Sequence, residues 1–398
     1  MRKLDCRAVV RSGLRYLILF ALLLVIFSAL VVPPAARADI PAQVTIKLFE
    51  SHAASNRLNV EGPFRIVQPN AQSVPAGKYF FEDDGHTISL RSAFNSRSFN
   101  LNAKRFSLTS DRGIAMQYST SKPRRYKGTI NISNERGCLE IRNLVSSRDY
   151  VMSVVGSESN VGFPLESLKA QAILTLTRVY RLRPGEIIGD STQAESYFGS
   201  DYVSPLVQKA VGAVWGQIVT YHGQPVQVFY HSTCAGGTSE AVGVFGAGAS
   251  NLPYYKCVPC RFCQSSPFWK PTVTQIKRAA FEQEFGGLPD VNVVDCAKRP
   301  TAMTLHSGGK NIDISGYQFW IKLGQKFGWD KAPGLRFTLR SKGEQIEVQS
   351  TGAGHGVGLC QWGASAMAKQ GKNCEEILQF YLPGTKIRRL TSFHRDNE

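Results

Sequence analysis

Acidic residues are scarce in this 398-residue chain: 30 Asp and Glu stand against 47 Lys and Arg, for a formal net charge of +17. A polyanionic surface is therefore excluded, and anionic partners are the ones to expect. No internal repeat and no low-complexity tract occurs, which excludes a solenoid or a biased linker protein. After the first 38 residues no apolar run approaches the length needed to cross a bilayer, so a multi-span helical membrane protein is excluded too. Nor is the chain poor in apolar residues. Its 43% hydrophobic and 19% charged residues are the balance of a folded protein, long enough for one large domain or two modest ones.

What is present begins with a leader. Arg2, Lys3, Arg7, Arg11 and Arg15 precede a run from Tyr16 to Val32 that is apolar except for Ser28, followed by Pro33, Pro34 and Ala36-Arg37-Ala38. That order predicts a signal peptide over residues 1–38, cleaved after Ala38. An uncleaved anchor is the alternative, because the run sits at the short edge of what spans a membrane. Either way the rest of the protein works outside the cytoplasm. The leader holds six basic residues and one acidic one, so +12 of the +17 stays with the mature chain. Outside the cytoplasm the polyanions on offer are wall polymers, lipid headgroups and lipopolysaccharide rather than nucleic acid.

Loss of Cys6 with the leader leaves eight cysteines, an even number compatible with disulfides in an oxidising compartment. Three of them form Cys257-Val-Pro-Cys260-Arg-Phe-Cys263, a spacing better suited to thiolates converging on a metal than to two adjacent bridges. Zinc and disulfides can coexist here, and a redox or structural disulfide pair is the competing reading.

Short alternating runs such as Val44–Phe49, Leu58–Val60 and Thr129–Ile132 read as strands, and the basic cluster Lys122–Lys127 reads as a loop between them. Helical spacing then takes over. Ser146 or Ser147 caps a short helix through Val155 that Gly156 is placed to end, leaving Glu158 just beyond it. Pro164 opens a longer core helix through Leu165, Leu168, Ala172, Leu176 and Val179. Further on, the pattern predicts a helix between Val203 and Trp215 and a turn at His222-Gly223. It then predicts a strand Val226–Tyr230, a helix from Thr274 to Phe285, strands at Phe337–Leu339 and Gln345–Val348, and a capping box at Asn373 and Glu376. The class is α+β. The expected division is a leader (1–38), a strand-rich N-terminal region (39–125) and a catalytic domain (126–390).

Three segments carry chemistry. They are Ser157-Glu158 with its continuation through Leu165-Glu-Ser-Leu-Lys-Ala-Gln-Ala172, then Phe229-Tyr-His-Ser-Thr-Cys-Ala-Gly-Gly237, then Gly354-His-Gly-Val-Gly-Leu-Cys-Gln-Trp-Gly-Ala364. In order and spacing they resemble the motifs of the SpoIID/LytB family, which includes stage II sporulation protein D and the amidase-enhancer proteins. The resemblance runs from about Tyr126 to Ile387. It departs from the family's pattern at Glu158-Ser-Asn160, at Cys234-Ala-Gly-Gly237 and at Leu359-Cys-Gln-Trp362, where Cys234 and Cys360 stand for serines and could bridge each other or bind metal.

The resemblance implies a SpoIID-like fold with a catalytic cleft. It also implies lytic transglycosylase activity on peptidoglycan, cutting between N-acetylmuramic acid and N-acetylglucosamine, on strands stripped of stem peptides as the sporulation members prefer. Such chemistry needs one carboxyl group that protonates the leaving oxygen and then takes the proton of the muramoyl C6 hydroxyl. Glu158 matches that residue, and the negative end of a helix dipole beside it favours the protonated acid. Glu166, near a helix start, is the competing acid and reads as structural. Substrate contacts are expected from His355, Gln361, Trp362, Ser232 and Lys169. A structural zinc is expected from Cys257, Cys260 and Cys263, completed by His231 or Cys234. The second function is a non-catalytic wall binder that stimulates an N-acetylmuramoyl-L-alanine amidase. A zinc hydrolase ranks last, because thiolate-rich sites are usually closed.

Overall fold

The computed structural model describes residues 39–93, 101–135, 137–191 and 195–390. The leader, read as signal peptide or anchor, lies outside the described residues together with Cys6. Among the described residues no helix is long and apolar enough to cross a membrane. The architecture is α+β, and contacts divide it into two units: residues 39–160 with 179–211, and residues 161–178 with 212–390.

The first unit is built on one sheet. Its strands are β1 (Gln43–Lys47), β2 (Arg57–Gln68), β3 (Gln72–Asp83), β4 (Ile88–Ser92), β5 (Asn102–Ala103), β6 (Arg105–Thr109), β7 (Ile114–Tyr118), β8 (Arg124–Tyr126), β9 (Thr129–Glu135), β10 (Cys138–Ser146) and β11 (Ile187–Gly189). Their order is β11-β1-β10-β9-β6-β2-β3-β4-β5, with β7 joining β2 to β8. Period-two alternation explains the core. Ile132 sits opposite Phe106 on one side and Ile141 on the other, and all three are buried along with Leu58, Val60, Ile66 and Phe81. Each such side chain contributes roughly 1.5–3 kcal/mol on burial. The basic cluster differs from expectation: Arg124–Tyr126 pairs with β7, because Tyr126 is an interior residue with no exposed surface.

Helix α1 (Ser147–Glu158) follows β10, with Ser146 as its cap accepting from the Asp149 amide at 3.1 Å. Gly156 does not end it. The helix continues to Glu158, and glycine is required at 156 because a Cβ there would collide with the Tyr202 carbonyl.

The second unit holds most of helix α2 (Leu165–Arg181), whose Leu168, Ala172, Ile173 and Leu176 are buried as expected. Helix α3 (Pro205–Val214), whose residues 205–211 belong to the first unit, leads along the chain to β12 (Gln217–Tyr221), and a turn with positive φ at His222 and Gly223 returns β13 (Gln224–Pro225). The expected strand at Val226–Tyr230 shrinks to β14 (Tyr230–His231). The rest comprises α4 (Ala241–Phe245), β15 (Thr272–Lys277), α5 (Arg278–Phe285), β16 (Asp290–Val294), β17 (Pro300–Ser307), β18 (Lys310–Ser315) and α6 (Gly316–Phe327). It closes with β19 (Arg336–Lys342), β20 (Gln345–Thr351), β21 (Leu359–Cys360), α7 (Gln361–Lys369), α8 (Cys374–Tyr381) and β22 (Lys386–Arg389). Residues 274–277, expected as helix, are strand: the segment pairs antiparallel with β20, burying Ile276 between the exposed Gln275 and Lys277. The capping box at Asn373 and Glu376 forms as read.

Candidate functional site

In the first unit, α1 ends on Glu158, not before it. The loop at residues 195–199 is bonded to this helix at each turn. Tyr150 donates to the buried Glu195 carboxylate at 2.9 Å, Ser153 donates to the Gly199 carbonyl at 2.6 Å, and Ser157 accepts from the Phe198 amide at 3.2 Å. Glu158 itself accepts the Ser196 amide at 2.6 Å through Oε1, and the residue is half-buried. Tyr197 donates to Asn143 of β10 at 2.6 Å, which ties the loop to the sheet. The Arg124 guanidinium lies 3.9 Å above the Phe198 ring. The buried Glu195 and the Ser196 amide are contacts that sequence reasoning missed; Tyr150 three and seven residues before Ser153 and Ser157 was the available signal of a polar helix face.

In the second unit, β14 and β21 pair in parallel, Tyr230 against Leu359 and His231 against Cys360, and bring the histidine motif beside the glycine-rich motif. The glycines are there for clearance: at Gly356 a Cβ would strike the Arg299 guanidinium, and at Gly358 the Phe229 carbonyl. His231 is buried, with Nδ1 3.0 Å from the Val357 carbonyl. A carbonyl only accepts, so Nδ1 carries the hydrogen and Nε2 is the lone-pair nitrogen, buried with no hydrogen-bond partner among the described residues. The half-buried His355 accepts the Val357 amide at Nδ1, 3.1 Å away, and its ring lies 5.8 Å from that of His231 and 5.2 Å from that of Phe245. Desolvation, helped by the nearby Arg299 charge, lowers His355 to about 4 and drives His231 well below the usual histidine range. Both rings are therefore neutral at physiological pH.

The thiols are redistributed relative to expectation. Cys257 is bonded to Cys296, 39 residues away, so its sulfur has no thiolate to offer a metal. His231 is not among the converging ligands either. The cluster consists of Cys234, Cys260, Cys263 and Cys360, all buried, with sulfur atoms within 4.8 Å of one another and 3.5 Å between Cys234 and Cys263. Four thiolates on a tetrahedral zinc, at Zn–S of about 2.3 Å, stand about 3.8 Å apart, so this donor set fits a single ion. Amides point at the sulfurs, Cys234 N–H to Cys360 at 3.3 Å and Gly236 N–H to Cys263, and the Tyr381 hydroxyl is 3.3 Å from Cys260. Hydrogen bonds from Cys234, Cys260 and Cys360 hold the Cys263 thiol far below its ordinary range.

Arg299, also buried, donates to the carbonyls of Cys234 at 2.6 Å and Gly237 at 3.1 Å and to Ser239 at 2.8 Å. Its charge opposes the net −2 that four thiolates and a divalent ion would carry. Sequence reasoning missed Arg299, which has no local signature.

The remaining expected residues are placed as follows. Gln361 is buried, with Nε2 3.3 Å from Gln171 Oε1, so it is an interior contact rather than a substrate-facing one. Trp362 packs its ring edge-on against Phe163 at 5.3 Å and donates its amide to the Ser232 carbonyl. The Ser232 hydroxyl is 3.3 Å from that of Thr233. Lys169 pairs with Glu166 at 2.6 Å. Burial alone would raise the Glu166 carboxyl, but hydrogen bonds from Lys169 and the Cys374 amide outweigh it and hold the group below its ordinary value. The amide that Glu166 accepts is that of the first residue of α8, not one at its own helix start.

Comparison with known proteins gives a match to the family model described as Stage II sporulation protein over residues 135–221. The chain is 30% identical to stage II sporulation protein D of Bacillus subtilis (strain 168) over 266 residues, covering 62% of this chain and 75% of that protein. Against the protein of the same name from Bacillus amyloliquefaciens it is 31% identical over 269 residues, with the same coverage. It is 23% identical to the amidase enhancer of Bacillus subtilis (strain 168) over 377 residues, covering 77% of this chain and 51% of that protein.

Proposed function

Because the chain belongs to the SpoIID/LytB family of cell-wall proteins, we propose that it is an exported peptidoglycan lytic transglycosylase with Glu158 as its acid/base residue. The observation that carries this reading is the hold on Glu158: a half-buried carboxyl closing the motif helix, gripped at one oxygen by the Ser196 amide. An amide hydrogen can only be donated, so the gripped Oε1 cannot direct a proton along that bond, and the acid proton belongs on Oε2.

In the reaction, that proton passes to the glycosidic oxygen as the C1–O bond breaks. The muramoyl C6 hydroxyl then closes on C1 to give the 1,6-anhydro ring and returns its proton to Glu158, so no water is consumed. The Ser196 bond to the ionised carboxylate stabilises the intermediate stage, when Glu158 has given up its proton. His355, neutral at working pH, brings no charge, and its ring is spent within the second unit, Nδ1 accepting the Val357 amide and the other ring nitrogen donating to the Tyr230 carbonyl. The four-thiolate site would hold a closed structural zinc that cross-links its chain segments and takes no part in the chemistry.

Incubation of wild type and Glu158→Gln with intact and amidase-treated peptidoglycan, followed by mass analysis, tests the reading. Anhydro-muramoyl products from wild type alone support it; none from either protein overturns it. The second reading, a wall-binding stimulator of an N-acetylmuramoyl-L-alanine amidase, draws on the amidase enhancer relative, whose match covers 77% of the chain. It predicts faster release of stem peptides by an added amidase, equally with Glu158→Gln.

A further inference from the structure

A cavity of about 300 Å³ opens in the second unit beside the Cys257–Cys296 disulfide. Nothing in the acid/base chemistry above uses it. Two of its lining side chains are charged, Lys298 and Arg336, and both are cations. Neither has an ion-pair partner among the described residues. Arg336 spends one N–H on the Ala235 carbonyl at 2.8 Å, and the rest of its five-donor fork has no acceptor there.

The opposite character lines the rest: Val258, Pro259, Ala297 and the two disulfide cysteines give an apolar wall. The cavity also depends on a missing side chain. A Cβ on Gly237 would meet nothing closer than the Val258 carbonyl oxygen at 3.6 Å and the Ala297 methyl at 3.8 Å, so it would fill space between wall atoms without a clash.

Unpaired cations in a concave site attract an anion, and a guanidinium fork matches a carboxylate through two parallel hydrogen bonds. The apolar wall adds a requirement that a bare inorganic anion does not meet, namely a carbon skeleton next to the charge. We infer that this cavity binds a carboxylate of peptidoglycan, seated between Lys298 and Arg336 with its apolar shoulder on the Val258 and Ala297 side. The inference rests on the peptidoglycan reading for the identity of the polymer. Two sources carry that chemistry: the lactyl carboxylate of muramic acid when its peptide is absent, and the free carboxylates of a stem peptide when it is present.

Calorimetric titration of the full chain with three probes tests the site: the muramic acid–glucosamine disaccharide, the same disaccharide bearing its stem peptide, and chitobiose, which has no carboxylate. One or both acids bind and chitobiose binds at least about tenfold more weakly, the scale of one lost charged hydrogen bond. The acid that binds identifies the source. Lys298→Gln, at an exposed position, and Gly237→Ala, which fills the cavity, each weaken acid binding by a similar factor and leave the melting temperature unchanged. Equal binding of acids and chitobiose, or acid binding unaltered in both variants, overturns the inference. If the acids bind through Lys298 while wild type releases no anhydro products, the transglycosylase reading falls and the anion site stands. Anhydro release with no effect of either variant on acid binding sinks the site alone.

Discussion

The two units hold their motif residues by different means. In the first, Glu158 depends on hydrogen bonds between one helix and one short loop, each spanning about 40 residues of chain and each involving a backbone or hydroxyl partner. In the second, the motifs at residues 231–234 and 354–360 are held by a two-residue parallel pairing, four buried thiols and a buried guanidinium. The first arrangement is a set of modest bonds that can be lost one at a time. The second is a knot in which each sulfur serves the other three. Removing single parts should therefore produce graded losses in one unit and collapse in the other.

The largest expected effect is on chemistry. Glu158→Gln keeps the Ser196 bond, since an amide oxygen also accepts, but removes the transferable proton, and anhydro-product release should fall by roughly 10²–10⁴-fold. A fall of less than tenfold would move the acid elsewhere.

Next comes the knot. The purified protein should carry one zinc per chain by elemental analysis. Cys360→Ser or Cys263→Ser should lose it, with a loss of stability of several kcal/mol in urea, whereas Cys138→Ser should keep the metal. Metal retained in all three variants would break the contrast drawn above.

Tyr150→Phe tests the graded side. It removes one donor from the buried Glu195 carboxylate and should cost about 1–3 kcal/mol in urea while the protein remains folded. Unfolding outright would show that the loop at residues 195–199 is as cooperative as the knot.

The smallest effect is confined to acid. His355 is depressed to about 4, so the folded state resists protonation that the unfolded chain accepts near pH 6.5. Its contribution is complete above pH 6.5 and is lost as the pH falls toward 4. A melting-temperature profile over that window should be flatter for His355→Gln than for wild type, and identical slopes would remove His355 as the cause.

Sequence order alone made some of this legible. The Asn373 capping box, the His222-Gly223 turn and the core face of α2 were readable because their partners lie within four residues or on one helix face. The three motifs and Glu158 were readable because their residue types and spacing resemble a family. Where the reading differed, the deciding partner was distant. Cys257 looked like a metal ligand from its spacing to Cys260 and Cys263, but its bond is to Cys296. Gly156 looked like a stop signal, yet it serves the approach of the Tyr202 carbonyl, 46 residues on. Val226–Tyr230 looked like a strand, and only Tyr230 and His231 find a partner, because β21 offers just two residues. Thr274–Phe285 looked helical throughout, and its first four residues were taken by pairing with β20.

The thiol knot also sets an order of assembly. As the chain emerges from N to C terminus, Cys234, Cys260 and Cys263 appear well before Cys360, together with Cys257 and then Cys296. Until residue 360 arrives, three orphan sulfurs share a compartment with two that must oxidise to each other. A cell making this protein must therefore keep those three reduced, or cover them with an ion, for the time it takes to deliver the last hundred residues. An oxidant that closes the Cys257–Cys296 bond early has to spare the other three, so the yield of native protein should depend on when residue 360 arrives relative to oxidation.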